Sequence, residues 1–231
     1  MEGSNLPRPQ FAAVLFDCDG VLADSESITN AVLREMLIDL GWNISQEGCI
    51  SIFIGKSLKD QWPCILANTG FRIDDQWIGQ FRNRRDLALR SSLQAVPGSV
   101  EAVTQVVESY GTQIACATGA DRAKVEMQLS LTGLTQFFGD RVFSGMECPR
   151  SKPAPDVYLT AAAALGVEPE QAAVIEDTVA GVSAGVAAGA TVFGYCPGGP
   201  ISSTPEQLFE AGASQIFTSM EQLPGLLVQG Y

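Results

Sequence analysis

Two aspartates stand one residue apart directly after the apolar run "AAVLF" (12–16). The run is typical of a buried strand, and the sequence "DCDG" follows it with Asp17 and Asp19. Two carboxylates this close repel each other, and burial at the end of a strand disfavours the ionised form of both. We therefore expect a positive charge around them. A hard cation such as Mg²⁺ supplies that charge and prefers oxygen ligands.

Further polar side chains follow three other apolar runs of the same kind. Thr118 and Gly119 end the second run, Lys152 lies in a loop after the third, and Glu176 and Asp177 end the fourth. In open α/β sheets, ligands bind beyond the carboxyl ends of the strands. If these runs are neighbouring parallel strands, the polar groups converge at one edge of the sheet.

The residue types available restrict the chemistry of such a site. The chain contains no histidine, which excludes Ser-His-Asp and Cys-His catalysis and histidine-zinc sites. Carboxylates, a hydroxyl, a lysine and a hard metal remain, and these groups serve phosphoryl transfer. An aspartate can form an aspartyl-phosphate while a second carboxyl protonates the leaving oxygen and later deprotonates water. Asp17 and Asp19 are the candidates for these two roles.

Short apolar runs and amphipathic stretches alternate along most of the chain. Six runs have the character of buried strands: 12–16, 113–117, 141–145, 172–176, 191–195 and 214–218. Strands that alternate with helices and are apolar throughout belong to parallel sheets covered on both faces. The sequence therefore predicts an α/β fold with a Rossmann-like parallel sheet core and helices on both faces.

One long interval between the first two runs breaks this alternation. It contains helical patterns only, at 27–40, 57–67 and 74–92. An insertion of this length predicts a separate all-helical cap domain over residues 23–94. The α/β core domain would then comprise residues 1–22 and 95–231.

Composition narrows the class of partner and the compartment. The formal net charge is −12, from 14 Lys and Arg against 26 Asp and Glu, which makes nucleic acid or an anionic membrane an unexpected partner. The segment "MEGSNLPRPQ" lacks the apolar stretch of a signal peptide, and six scattered cysteines without CxxC spacing are typical of reduced thiols. We expect a cytoplasmic protein.

Four stretches of the chain resemble the signature stretches of the haloacid dehalogenase (HAD) superfamily. They are "DCDGVLADSE", "CATGADR", "SKPAPDVY" and "VIEDTVAGVSAGVAAGA". They occur in the family's order and spacing, and the resemblance covers about residues 11–220. The similarity is closest to the branch of sugar-phosphate phosphatases and β-phosphoglucomutase. It implies a Mg²⁺-dependent phosphatase that acts on a small phosphorylated metabolite through an aspartyl-phosphate, with a sugar phosphate as the expected substrate.

The resemblance also implies a role for each matching residue of the core. Asp17 matches the nucleophile, and Asp19 matches the acid/base, whose backbone carbonyl also binds magnesium. Thr118 matches the hydroxyl that binds phosphate, with the amide of Gly119 beside it. Lys152 matches the lysine that pairs with the nucleophile and with phosphate.

The remaining implied roles concern the metal and the cap. Asp177 matches a metal ligand, and Glu176 beside it binds the metal directly or through water, together with the two aspartates of the first strand. Ser25 and Glu26 on the hinge and Lys56 in the cap are expected to contact the substrate. The cap would close over the substrate and exclude water.

A β-phosphoglucomutase-type mutase is the main alternative to a phosphatase. Mutases of that branch have a histidine at the cap hinge, where this sequence has Thr29. The basic cap residues that hold a second phosphate there fall on Ile54 and Leu58 here, with Lys56 nearby as compensation. These departures favour water as the phosphoryl acceptor.

Two further readings are weaker. A phosphonate hydrolase needs a Schiff-base lysine in the cap, and the setting of Lys56 and Lys59, "FIGKSLKDQW", is unlike that family's. A catalytically retired binding module would have lost the nucleophile or the lysine, and neither is missing.

Overall fold

A six-stranded parallel sheet forms the centre of the protein. The structure is a computed structural model that describes residues 9–53 and 58–228. The strands are β1 Ala13–Phe16, β2 Ile114–Thr118, β3 Val142–Ser144, β4 Ala172–Glu176, β5 Thr191–Tyr195 and β6 Gln215–Phe217. Their order is β3-β2-β1-β4-β5-β6, with every neighbouring pair parallel. All six predicted strands are confirmed.

Eleven α-helices lie in the described part of the chain. They are α1 Glu26–Asp39, α2 Gln46–Phe53, α3 Trp62–Thr69, α4 Asp75–Ser92, α5 Ser99–Tyr110, α6 Arg122–Leu131, α7 Thr135–Phe138, α8 Asp156–Leu165, α9 Val179–Ala188, α10 Pro205–Glu210 and α11 Leu223–Leu226. The first four form the insertion between β1 and β2, α5 leads from the insertion into β2, and the others follow the later strands of the sheet. This arrangement confirms the predicted α/β fold with a helical insertion.

Alternate residues of each strand face opposite sides of the sheet, and each side has its own hydrophobic core. On β1, Val14 and Phe16 pack in the core formed with α5 and α6, whereas Leu15 packs in the core formed with α8 and α9. Period-2 alternation with apolar residues on both faces is the pattern of a sheet buried on both sides. Helices therefore cover both faces, as predicted.

The helical insertion has a third hydrophobic core of its own. Apolar side chains from α1, α2, α3 and α4 meet there, among them Leu37, Ile65 and Trp77. The two chain segments that lead into and out of the insertion lie side by side. Val96 donates a backbone hydrogen bond to Leu22 at 3.0 Å, and Asp24 donates one to Gln94 at 3.0 Å. The domain limits at 22/23 and 94/95 remain our prediction.

Two details of the insertion differ from the predicted helices. The pattern at 57–67 spans Pro63, which has no N–H to donate inside a helix, so α3 begins only at Trp62 with this proline in its first turn. A 3-10 turn at Leu58–Gln61 precedes it. Helix α2 was not predicted, because it has only eight residues and contains Gly48, which weakens the helical pattern.

No helix in the described ranges has the length and apolar character needed to cross a membrane.

Candidate active site

Lys152 connects the ends of β1 and β4. Its ammonium group donates to Asp17 Oδ1 at 2.6 Å and to Glu176 Oε1 at 2.7 Å. A third hydrogen bond goes to the carbonyl oxygen of Ala117 at 3.0 Å, and the ammonium lies 4.7 Å from the centre of the Tyr158 ring. All three N–H donors of the lysine are therefore used, and the side chain is only 9% exposed.

Glu176 is fully buried and its carboxylate is surrounded by donors. Oε1 accepts hydrogen bonds from Lys152 and from the Tyr158 hydroxyl at 2.7 Å. Oε2 accepts from the backbone N–H of Asp177 at 3.1 Å and from both the N–H and the hydroxyl of Thr178, at 3.2 and 3.1 Å. Five hydrogen bonds thus satisfy this buried charge and fix the start of α9 relative to Lys152.

Asp177 completes a group of three acids that could hold a cation. Asp17, Glu176 and Asp177 each offer a carboxylate oxygen, and these oxygens lie within 4.8 Å of one another. Asp177 Oδ1 is buried and has no hydrogen-bond partner in the described part of the structure. A buried carboxylate oxygen without a donor is costly. A hard divalent cation fits this set of oxygens and would remove that cost.

Gly20 makes room for Asp177. Its backbone has φ +78°, and a Cβ atom on this residue would lie 2.1 Å from Asp177 Oδ2. Both the left-handed conformation and the close approach require glycine. The glycine of "DCDG" therefore shapes the acidic group as well as the turn.

The three carboxyl groups of the acidic group have only one cation, Lys152, in direct contact with them in the described structure. Burial, opposed by Lys152 and reinforced by Glu176 and Asp19, raises the pKa of Asp17 to about 7. Burial and the neighbouring carboxylates also raise the pKa of Asp177 well above its usual range. Burial would lower the pKa of Lys152, but the two carboxylates beside it hold that pKa well above its ordinary value. The lysine is therefore charged, and one ammonium is too little for three acids.

Asp19 has a different environment from Asp17. Its Oδ1 accepts hydrogen bonds from the Ser25 hydroxyl, from Lys124 Nζ at 2.7 Å and from Gln128 Nε2 at 2.7 Å. Burial would raise the pKa of Asp19, but Lys124 and the three hydrogen bonds outweigh it and lower the pKa to about 2. Asp19 is thus ionised, with one oxygen held by three donors.

Sequence reasoning missed Lys124 and Gln128. They are four residues apart on α6, so they share one face of the helix, and both are buried. A lysine and a glutamine spaced i, i+4 on the helix that follows "CATGAD" were the available signal. Their contact with Asp19, more than 100 residues earlier, depends on the parallel pairing of β1 and β2.

Thr118 and Gly119 lie at the end of β2, on the wall of the same cavity as Asp17. The Thr118 hydroxyl oxygen accepts a hydrogen bond from the backbone N–H of Ala120 at 3.2 Å, which leaves its hydrogen free to donate. Helix α6 begins just beyond, capped by Asp121, whose side chain accepts from the Lys124 N–H at 3.0 Å. Donors at a strand end before a helix N-terminus suit a phosphate.

A cavity of about 320 Å³ lies between the helical insertion and this edge of the sheet. Asp17, Asp19 and Lys152 line its sheet side, and Glu26 lines the side formed by α1. Ser25 is buried behind Asp19 and is not among the lining residues, so its contact with substrate stays a prediction. Lys56 lies outside the described residues.

Known proteins resemble this chain in sequence and in fold. The phosphoglycolate phosphatase of Cupriavidus necator is 31% identical over 222 residues, which cover 93% of this chain and 92% of that protein. SUPPRESSOR OF QUENCHING 1 of Arabidopsis thaliana is 32% identical over 189 residues, 77% of this chain but only 17% of that much longer protein. A HAD family hydrolase from Deinococcus radiodurans, crystallised with phosphate and sodium, is 30% identical with a TM-score of 0.77, and the match covers 96% of this chain and 100% of that one.

The sequence also matches a family model over most of its length. The model describes haloacid dehalogenase-like hydrolases and matches residues 11–189. This range includes β1 with its two aspartates, the whole helical insertion, Lys152 and the end of β4. The chain belongs to the haloacid dehalogenase-like hydrolases.

Proposed function

We propose that the protein is a Mg²⁺-dependent phosphatase that hydrolyses a small phosphorylated metabolite, such as a sugar phosphate, through an aspartyl-phosphate. One observation carries the proposal. Asp17 lies 2.6 Å from Lys152, beside a carboxylate of Asp177 whose buried oxygen has no donor in the described structure. A nucleophile, a cation for phosphate and a place for a metal thus occur together at one end of a cavity.

The first half of the reaction would form a covalent intermediate. An oxygen of Asp17 attacks phosphorus, and the bond from phosphorus to the ester oxygen breaks. Asp19 supplies the proton that the leaving alcohol needs. Lys152, the Thr118 hydroxyl and the Gly119 amide bind the other phosphoryl oxygens, over which negative charge is spread in the transition state.

The second half would regenerate the enzyme. Asp19, now ionised, takes a proton from water, and the resulting hydroxide attacks phosphorus. The bond between phosphorus and the Asp17 oxygen then breaks, which releases inorganic phosphate and restores the carboxylate. Both carboxyl groups line the cavity, as this exchange of roles requires.

The residues around the acidic group suggest how Mg²⁺ would be held. Asp177 has a free buried oxygen, and the Asp19 carbonyl accepts no backbone hydrogen bond from the described residues. Glu176 already accepts five hydrogen bonds. We therefore expect Asp17, Asp177 and the Asp19 carbonyl to bind the cation directly, with Glu176 contributing mainly its charge. When bound, Mg²⁺ supplies positive charge that lowers the pKa of Asp17 and neutralises phosphate.

Two positions in the insertion favour water over a sugar as the phosphoryl acceptor. Thr29 lines the cavity, and its hydroxyl cannot act as the hinge imidazole of a mutase. Leu58 also lines the cavity, and its apolar side chain cannot supply the basic group that a mutase has at this position. Ile54 and Lys56 lie outside the described residues, so the comparison rests on these two positions.

The test is phosphate release from a panel of phosphorylated sugars, polyols, nucleotides and acids, with Mg²⁺ and with EDTA. We expect metal-dependent hydrolysis of at least one ester and its loss in Asp17→Asn. Asp140→Asn is the matched control, because the Asp140 side chain is 99% exposed and is not part of the cavity lining. The proposal would be contradicted if Asp17→Asn released phosphate at the wild-type rate. It would also be contradicted if the wild type hydrolysed none of the esters.

A further inference from the structure

We infer that Arg82 on α4 binds a second anionic group of the substrate, a carboxylate or a second phosphate, at the end of the cavity remote from the reacting phosphate. The inference rests on the proposed phosphatase function and specifies its substrate class. The expected substrates are phosphomonoesters of acids or bisphosphates, rather than phosphate esters of neutral sugars and polyols.

Four basic side chains line the described part of the cavity wall, and three of them are already neutralised. Lys152 pairs with Asp17 and Glu176, and Lys124 pairs with Asp19 at 2.7 Å. Arg85 pairs with Asp86 at 2.7 Å and with Asp121 at 3.1 Å. Each of these cations therefore has a structural counter-ion when no substrate is present.

Arg82 is the exception. No carboxylate of the described residues lies within 4.0 Å of its guanidinium, whose contact across the cleft is with the sulfur of Met146 at 4.0 Å. Its charge reaches Asp121 from farther away and helps to lower the pKa of that carboxyl, which Arg85 already holds. A thioether is a weak hydrogen-bond acceptor and carries no charge. The guanidinium thus lines the cavity with no carboxylate partner among the described residues.

The position of Arg82 on α4 directs it into the cavity. Arg82 and Arg85 are three residues apart, so they share the helix face that also presents Ile78 and Phe81 to the cavity. These neighbours, together with Leu33 on α1, make that part of the wall apolar. Apolar surroundings lower the local dielectric constant and so strengthen the attraction between a guanidinium and an anion.

The chemistry of arginine defines the group that it selects. Its planar fork of N–H donors matches the paired oxygens of a carboxylate or a phosphate, and it offers no acceptor to a sugar hydroxyl. A cavity of about 320 Å³ accommodates a ligand of monosaccharide size. The reacting phosphate lies among Asp17, Thr118 and Lys152, so the second anion belongs at the α4 side of the ligand.

Matched pairs of esters test this inference. 6-Phosphogluconate and glucitol 6-phosphate differ only in a carboxylate against a hydroxymethyl group, and 2-phosphoglycolate and 2-hydroxyethyl phosphate form a smaller pair of the same design. Glucose 1,6-bisphosphate against glucose 6-phosphate tests a second phosphate. We expect kcat/KM with Mg²⁺ to be about 10- to 100-fold higher for the anionic member of at least one pair, the range of a charged hydrogen bond.

Substitution of Arg82 tests whether this side chain causes the preference for anionic esters. Arg82→Gln should reduce the anionic preference to less than about threefold by slowing the anionic ester only, and Arg82→Lys should retain part of it. Arg84→Gln is the matched control, because it removes the same charge from the same helix at an exposed position paired with Asp39.

Three results would overturn the inference. The wild type could hydrolyse both members of every pair equally, or the anionic preference could survive in Arg82→Gln. Arg84→Gln could also lose the preference to the same extent, which would assign it to net charge. In each case the proposed phosphatase would stand. Absence of hydrolysis of every ester would refute the proposed function and this inference with it.

Discussion

Gly181 in α9 offers a substitution for which two physical effects predict opposite signs. Helix propensity alone predicts that Gly181→Ala stabilises the protein by about 1 kcal/mol, since glycine is the poorer helix former. The structure predicts the reverse. A Cβ atom on Gly181 would lie 1.7 Å from Glu176 Oε1 and 2.2 Å from Oε2, so the carboxylate would have to move.

The carboxylate of Glu176 has nowhere equivalent to go. It is 0% exposed and accepts five hydrogen bonds, including the one from Lys152. Disruption of a buried ion pair typically costs about 3–5 kcal/mol, because the remaining charge stays buried without its partner. After subtraction of the gain in helix propensity, Gly181→Ala should lower the free energy of unfolding by about 2–4 kcal/mol. That is a large fraction of the 5–15 kcal/mol typical of a protein.

Urea unfolding followed by circular dichroism measures this change, and EDTA in the buffer keeps metal binding out of the comparison. Gly79→Ala is the matched control, because Gly79 also lies inside a helix but a Cβ atom there would meet nothing within 4 Å. We expect Gly79→Ala to stabilise the protein by about 0.5–1 kcal/mol. A Gly181→Ala variant as stable as Gly79→Ala, with wild-type phosphatase activity, would refute the reasoning about Glu176.

Two further predictions concern the charges around Asp19. Lys124→Met removes the cation that lowers the pKa of Asp19, so this pKa should rise. The acid form of Asp19 then persists to higher pH, so the alkaline limb of the pH profile of kcat/KM should shift to higher pH than in the wild type. An alkaline limb at the wild-type pH would show that Asp19 is not the acid. Burial and the charge of Asp19, opposed by Lys124, raise the pKa of Glu26 from 4.5 to about 7. The folded state therefore holds a proton that the unfolded chain releases, and stability falls as the pH rises from 4.5 through 7. Glu26→Gln should raise the free energy of unfolding by about 1–2 kcal/mol at pH 8 and leave it unchanged at pH 4.5. The expected gain is smaller than the energy equivalent of the full pKa shift, because Glu26 is only half-buried and solvent screens its charge. Urea titrations at both pH values check this, and equal effects at the two would contradict it.

The sheet was predictable because its strands carry a strong local signal. Strands β1, β2 and β4 are short apolar runs buried along their whole length, and their few polar residues stand at the strand ends, where they do not disturb the pattern. The polar residues that end them, such as Asp17 and Glu176, then had to lie at one edge once the sheet was parallel. Lys152 required more, since it comes from a loop, and its position was expected from resemblance rather than from strand geometry.

The parts that could not be predicted depend on tertiary contacts of ordinary-looking residues. Lys124 and Gln128 look like the solvent-facing residues of an amphipathic helix, yet both are buried against Asp19. Arg82 and Arg85 occur within a run of charges, "RNRRD", that is typical of an exposed helix face. Only the packing of α4 over the sheet edge reveals that one of them is paired with Asp121 and the other is not.

The contrast between Asp17 and Asp19 determines what the catalytic cycle must change. The proposed reaction needs Asp17 ionised and Asp19 protonated, whereas burial raises the pKa of Asp17 to about 7 and the donors around Asp19 lower its pKa to about 2. Without a cation, Asp19 is therefore the more acidic of the two residues, although the proposed reaction needs Asp19 to carry the proton. A cation beside Asp177 would lower the pKa of Asp17. Separation of Asp19 from Lys124 would raise the pKa of Asp19. The helix that carries Lys124 also carries, at its N-terminus, the Asp121 that binds Arg85 of the insertion. The Arg85–Asp121 ion pair thus connects the helical insertion to α6, the helix whose Lys124 holds Asp19.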